Sequence, residues 1–245
     1  QQPHKSEYWL FPKIADWAKF VVRVSIVCQF ILDSVLKKDP NCHVISIDEK
    51  TAIQATERTV QFAPISKGGH KRKEYEYTRH GITTLMAANN VENGQIINAH
   101  LGQTRDEEDY CDFIKQTVHC LPEMDRIILL SDQLNTHMSE SLVLWIAQTE
   151  EYEIGELGKK GKGGILKNME TRRTFLEREE HRIRFIFTPK HCSWLNPIEN
   201  WFAKLQRHVV TNGNYSSVND FLSNNNIKVL AVFADLSRVV GYPIN

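Results

Sequence analysis

The sequence lacks any apolar run near the roughly 18 residues needed to cross a bilayer. Its longest early stretch, 20–27, is broken by Arg23 and Ser25. Residues 1–15 carry prolines and charges where a secretory signal would place its apolar segment. No membrane association is expected. Cysteine is scarce, with five residues, an odd number, and no CxxC pair. His181, His191 and Cys192 form the nearest approach to a metal cluster and lack zinc-ligand spacing. Reduced thiols in a reducing, cytoplasmic compartment are the better reading. Net charge is also missing: 30 Lys+Arg balance 30 Asp+Glu, which argues against a simple basic nucleic-acid coat. What remains is a chain of 245 residues, 41% hydrophobic, enough for one large α/β domain or two small ones. It opens Gln-Gln-Pro without methionine, so a longer parent chain is expected.

Apolar spacing predicts helices over 4–37, 105–121, 139–149 and 196–210. Strands are expected at 43–48, 81–88, 95–101, 126–132 and 182–187. The Asn93-Gly94 pair between the second and third strands signals a hairpin. In Arg126-Ile-Ile-Leu-Leu-Ser-Asp132, residues 127–130 are continuously apolar, as a strand buried on both faces should be. Hairpin strands followed by alternating strands and helices make an α/β fold: a ribonuclease-H-like, mixed five-stranded sheet flanked by helices. Right-handed crossovers place the first and fourth strands parallel.

Two of these apolar strands end in aspartate, Asp48 and Asp132. Carboxylates at the carboxyl ends of neighbouring strands project into one crevice. A third acid, Glu199, follows Asn196-Pro197 in the first turn of the last helix. Asn196-Pro-Ile-Glu199 also reads as a capping box, Asp132 could cap the following turn, and Asp48 could pair with Lys50. Capping does not explain why both strands end in acid. Three crowded carboxylates repel one another, and hard divalent cations relieve that repulsion. Two such ions would clamp the attacking and leaving oxygens of a phosphoryl transfer.

With these residues in view, the chain resembles the DDE transposases of the mariner-like superfamily, in their bacterial insertion-sequence branch. The resemblance rests on Ile45-Ser-Ile-Asp-Glu-Lys-Thr-Ala-Ile-Gln54, Arg79-His-Gly-Ile-Thr-Thr-Leu-Met-Ala-Ala88, Ser131-Asp-Gln-Leu-Asn-Thr-His137 and Thr188-Pro-Lys-His-Cys-Ser-Trp-Leu-Asn-Pro-Ile-Glu-Asn-Trp-Phe202. It runs from Pro3 to about residue 215. It implies that Asp48, Asp132 and Glu199 are the catalytic acids, holding two Mg²⁺ ions with Mn²⁺ as substitute. It places the family's histidine at His137. Gln133 stands where the superfamily usually has asparagine, and the spacing from Asp132 to Glu199 exceeds the mariner pattern. The surplus coincides with the charged Gly/Lys segment 155–180, read as an insertion at the fold's edge.

The implied activity is metal-dependent DNA cleavage and strand transfer in cut-and-paste transposition, by a bacterial cytoplasmic protein acting at the nucleoid. The implied partners are double-stranded DNA, as element ends and target, and a second copy of the chain. Residues 1–40 then form a helical linker or dimerisation segment, 41–215 the catalytic domain and 216–245 a tail. A DNA-reading helix-turn-helix is expected upstream. The alternatives are another nuclease of the same fold and a domesticated, non-catalytic DNA- or partner-binding protein. Lys190, His191 and Trp194 are expected to shape the site or touch DNA, with Trp194 equally suited to core packing. Neutrality hides local asymmetry: 155–190 holds ten Lys/Arg against five Glu, and 67–79 five against two acids. The compensation lies in 106–125, with seven acids against one lysine. Basic segments beside the crevice would contact phosphates.

Overall fold

The computed structural model describes residues 14–58, 76–211, 213–221 and 223. Its centre is a five-stranded sheet: β1 (Cys42–Glu57), β2 (Thr78–Asn90), β3 (Ile96–Gly102), β4 (Arg126–Ser131) and β5 (Ile183–Phe187). The order is β3-β2-β1-β4-β5. β1 pairs antiparallel with β2 and parallel with β4, and β5 continues the parallel half. This is the expected mixed sheet. The β2–β3 hairpin turns at Gly94, whose φ of +73° is the left-handed conformation that glycine adopts without a steric penalty. β1 runs well past the predicted 43–48, with a register shift around Ala52, itself at φ +55°.

Six helices flank the sheet among the described residues: α1 (Trp17–Val35), α2 (Glu107–His119), α3 (Glu140–Thr149), α4 (Ile154–Leu157), α5 (Met169–Leu176) and α6 (Ile198–Leu205). α1 starts where the Asp16 carboxylate accepts from the Lys19 N–H. The remainder of the predicted 4–37 helix, 4–13, lies outside the described residues, as do the basic stretch through residue 75 and the tail beyond 223. α2 opens on a reciprocal capping box between Asp106 and Asp109.

Strand alternation distributes the core. Ile45 and Ile47 of β1 join Ile127 and Leu129 of β4 under α2, α3 and α5. Val44, Ile128, Leu130 and Ile186 turn the other way, against Val27 of α1 and Leu195. Farther along β1, Ile53 and Ala55 meet Ile198, Trp201 and Phe202 of α6. Among the described residues, no helix is long and apolar enough to cross a membrane.

Segment 155–180 is more than a charged edge loop. Leu157, Ile165, Leu166, Phe175 and Leu176 are all buried in the main core. Helix α5 was not predicted, because its polar face dominates the local composition. Gly158 and Gly164, both left-handed, let the preceding turn close: a Cβ on Gly158 would meet the Gly163 carbonyl at 2.0 Å. The fold also continues past residue 215, since Phe221 is buried with its ring 4.9 Å from that of Tyr215. Phe175→Ala is expected to destabilise the fold by about 3–5 kcal/mol through the cavity left under α5. Urea unfolding followed by tryptophan fluorescence checks this, and a surface-like change below about 0.5 kcal/mol would contradict the core assignment.

Candidate active site

The β1–β4 register pairs Val44 with Ile128 and Ser46 with Leu130. Carried two residues further, it sets Asp48 beside Asp132 on one face of the sheet, just past the carboxyl end of β4 but in the middle of β1. β1 does not end in aspartate as expected, because its pairing with β2 carries it on to Glu57. Glu199 comes from the first turn of α6, which packs on that face of β1. The three predicted acids meet electrostatically at Asp48. Burial is the main force raising its pKa to about 6, and the negative charges of Asp132 and Glu199 add to it. Asp48 is only 9% exposed, whereas the Asp132 side chain remains 41% exposed.

His137 holds Asp132 from the opposite face. Its Nδ1 lies 2.7 Å from Asp132 Oδ1, and its Nε2 lies 3.2 Å from Glu49 Oε1. Burial opposes an imidazolium here, but the hydrogen bonds to Asp132 and Glu49 prevail and raise its pKa to about 9. The ring stacks on Tyr110 with centroids 4.1 Å apart. In return, His137 overcomes the burial of Asp132 and holds that carboxyl below the ordinary aspartate value. Asp132 Oδ1 also accepts from the Leu134 N–H at 3.0 Å, the turn-capping contact that sequence suggested as an alternative role. Capping and a site role coexist in this residue.

The tie between α6 and β1 rules out the alternative reading of Asn196-Pro-Ile-Glu199 as a capping box. Asn196, buried in the loop before α6, makes no cap to its own helix. Its Nδ2 donates to the Ile47 carbonyl at 2.8 Å and to Asp48 Oδ2 at 3.3 Å. Its Oδ1 accepts from the Ser46 hydroxyl, and Ser46 Oγ accepts the Ile198 N–H at 2.9 Å. A hydroxyl from the neighbouring strand thus satisfies the helix start and frees Asn196 to hold Asp48. Asp48 forms no ion pair with Lys50 among the described residues.

Gln133 donates from Nε2 to the Thr188 carbonyl at 2.8 Å, bridging the ends of β4 and β5. Lys190, His191 and Trp194 all lie on the exposed loop after β5. Trp194 is 68% exposed, so core packing is not its role. His191 adopts φ +62°, a left-handed conformation unusual for a residue with a side chain. Sequence reasoning missed Glu49, Asn196 and Ser46 as site residues. Glu49 sits within the quoted Ile-Asp-Glu motif, and its side chain is 3% exposed between His137 and Arg105.

The donor chemistry fits hard divalent cations: carboxylate oxygens only, with Asp48 raised by burial and by the charges of Asp132 and Glu199, which the charge of His137 offsets only in part. Among the described residues, no three His, Cys, Asp or Glu side chains are already gathered as a metal cluster. Binding an ion would therefore draw the carboxylates together.

A comparison with curated proteins finds no significant match. Among solved structures, the catalytic domain of Mos1 mariner transposase is similar, with a TM-score of 0.50 at 12% identity, covering 94% of this chain and 93% of that one. This likeness fixes the fold as ribonuclease-H-like. The Mos1 mariner paired end complex with Mn matches at 13% identity and TM-score 0.49, over 98% of this chain and 68% of that one. The Mos1 strand transfer complex matches at 11% identity and TM-score 0.49, over 97% and 64%. The chain thus spans about two thirds of the transposase chains in those complexes. A family model described as DDE superfamily endonuclease matches residues 43–222, which include all three acids and His137. That match covers well over half of the sequence, and the protein belongs to the DDE superfamily endonucleases.

Proposed function

We propose that this chain is the catalytic core of a transposase that cuts DNA and joins the freed 3′ end to a target. The observation that carries the reading is the register placing Asp48 beside Asp132, with Glu199 near enough to raise the Asp48 pKa. Asp48, Asp132 and Glu199 would hold Mg²⁺ or Mn²⁺, which when bound supplies the charge that activates a water or 3′-hydroxyl and stabilises the leaving oxygen. Asn196 orients Asp48 through Nδ2. His137, itself fixed by Glu49 and Tyr110, orients Asp132 and keeps its carboxylate ionised. Lys190, His191 and Trp194 lie on the exposed loop leading to α6, where they can meet the DNA backbone and bases.

Joining two element ends, as this reading requires, would bring two copies of the chain together. In this chain, α1 leaves Trp17, Val21 and Leu32 exposed, a surface suited to a second copy. Action in the cytoplasm follows from this reading, since the substrate would be the cell's own DNA.

The decisive assay uses DNA carrying the sequences that flank the gene, with supercoiled plasmid as target and Mg²⁺ as cofactor. Asp48→Asn, Asp132→Asn and Glu199→Gln should each lower nicking roughly a thousandfold, a loss of several kcal/mol in transition-state stabilisation. Nicking that survives in Asp132→Asn would refute the acid assignment. Mg²⁺-independent DNA binding with no cleavage would favour the non-catalytic alternative.

Proton competition provides a second test. Below pH about 6 the Asp48 carboxyl is protonated in the metal-free fold and must release that proton to bind an ion. Mn²⁺ affinity measured by calorimetry should therefore rise with pH through this range, with proton release that Asp48→Asn removes. The same raised pKa stabilises the metal-free fold below about 3.8, a contribution lost as pH rises through about 6.

His137 titrates on the other side of neutrality. Its contribution to the metal-free fold is complete below about 6.5 and is lost as pH rises through about 9. Thermal melts in EDTA should show Tm falling across that interval, and His137→Gln should remove the dependence.

A further inference from the structure

A cleft of about 930 Å³ runs between α1, α5 and the turn after β5, and one end is lined by Gln133, the neighbour of Asp132. Its cations are Lys19, Arg23, Arg173, Arg184 and Lys190; Lys19 is paired with Asp16 and Arg184 with Glu179, which lies just outside the cleft. Arg23 and Arg173 share the single Glu177 carboxylate, Arg23 as a hydrogen-bonded pair and Arg173 at 3.5 Å. Two guanidiniums on one carboxylate leave a positive charge over. Lys190 forms no ion pair with any described residue. Between these charges lies an apolar floor that includes Phe20, Ile26 and Ile186.

The position of Arg173 ties the cleft to the crevice. Its guanidinium donates to Gln133 Oε1 at 3.4 Å, and the other end of that amide holds Thr188. A ligand lying along the cleft would leave it one residue from the candidate catalytic aspartate.

The geometry points to this cleft as the seat of an unpaired nucleic-acid strand entering or leaving the active site, an inference that rests on the transposase reading above. Phosphates would follow the cationic rim, and bases would cover the apolar floor. A duplex presents mainly its phosphates and would leave that floor wet. An acidic peptide would satisfy the rim but gain little from the floor unless it were also apolar. The observations favour the single strand.

The test is binding of a fluorescein-labelled single strand of about a dozen nucleotides, within the span of known single-strand sites. The whole chain is used in an Asp132→Asn background, in EDTA, over a series of salt concentrations. Each lost phosphate contact should flatten the slope of log K against log salt by about 0.7. Lys190→Gln, an exposed change that leaves folding intact, should remove about 0.7, and with Arg173→Gln about 1.4. Lys115→Gln on acidic α2 serves as control and should leave the slope unchanged. Parental slopes in both cleft variants would overturn the inference, as would an equal loss in Lys115→Gln. So would poly-glutamate displacing the oligonucleotide at equal charge concentration, since the site would then read charge alone. Because binding is measured without metal in a cleavage-blocked background, the two readings fail separately. Cleft-dependent binding by a wild-type chain that never cuts would refute only the catalytic reading. A cutting enzyme whose binding ignores the cleft would refute only this one.

Discussion

Everything at the site depends on one backbone constraint, the parallel pairing of β1 with β4. Hydrogen-bonded neighbours lie roughly 4.8 Å apart, and side chains alternate between faces with a period of two. A register of Ser46 against Leu130 therefore leaves no choice about where Asp48 and Asp132 go. A slip of one residue would send one carboxylate to the opposite face. Ile45, Ile47, Ile127 and Leu129, all fully buried under α2 and α3, prevent that slip. The hydrophobic core is thus the device that aims the acids.

Aiming acids at one another costs free energy, and the surrounding contacts divide that cost unequally. Asp132 is bonded to a buried imidazole and stays ionised; Asp48 is bonded to an amide and a backbone N–H, feels that imidazole only as a more distant charge, and its pKa rises to about 6. One carboxylate is held ready and the other is compensated only in part. That asymmetry is what a divalent cation would relieve. It explains why Glu49 is buried as the partner of His137: it balances the charge of a ring that must remain protonated to hold Asp132. The two faces of the sheet are joined through this pair. Asp48 points toward α6, Glu49 points toward α2, and consecutive residues of one strand serve both sides of the site.

The sheet and the nearness of the three acids were legible in the sequence because each depends on a local pattern. Continuous apolar runs marked β1 and β4, an Asn-Gly pair marked the hairpin, and acids closing apolar strands marked the crevice. What escaped was set by tertiary contacts. Asn196-Pro-Ile-Glu199 has the letters of a capping box, and only the position of Ser46 shows that another strand supplies the cap. Helix α5 was hidden because Glu170, Arg172 and Arg173 dominate a segment whose buried positions are few. Glu49 stood within a quoted motif, but its burial depends on His137, 88 residues away. The length of β1 beyond Lys50 was obscured because its bulge interrupts the alternation that sequence reading relies on.

The zero net charge gains meaning from the strand order. The acidic first turn of α2 carries Glu107, Glu108 and Asp109, and this helix packs against β2 and β3 at one side of the sheet. Arg184 lies on β5 at the opposite edge, with Arg173 and Lys190 beside it. The carboxylate crevice falls between them, at β1 and β4. The basic excess near β5 is local to the cleft between α1 and α5, since Glu150, Glu151, Glu156 and Glu180 line a separate pocket with His181 near the start of the same strand. Neutrality is therefore compatible with a locally cationic cleft: on the proposed reading, a polyanion would gain most on the side that carries Arg173 and Lys190, next to the crevice. On that reading a cleft at one side of the crevice would restrict how a strand arrives, and attack in line requires the scissile bond in one orientation.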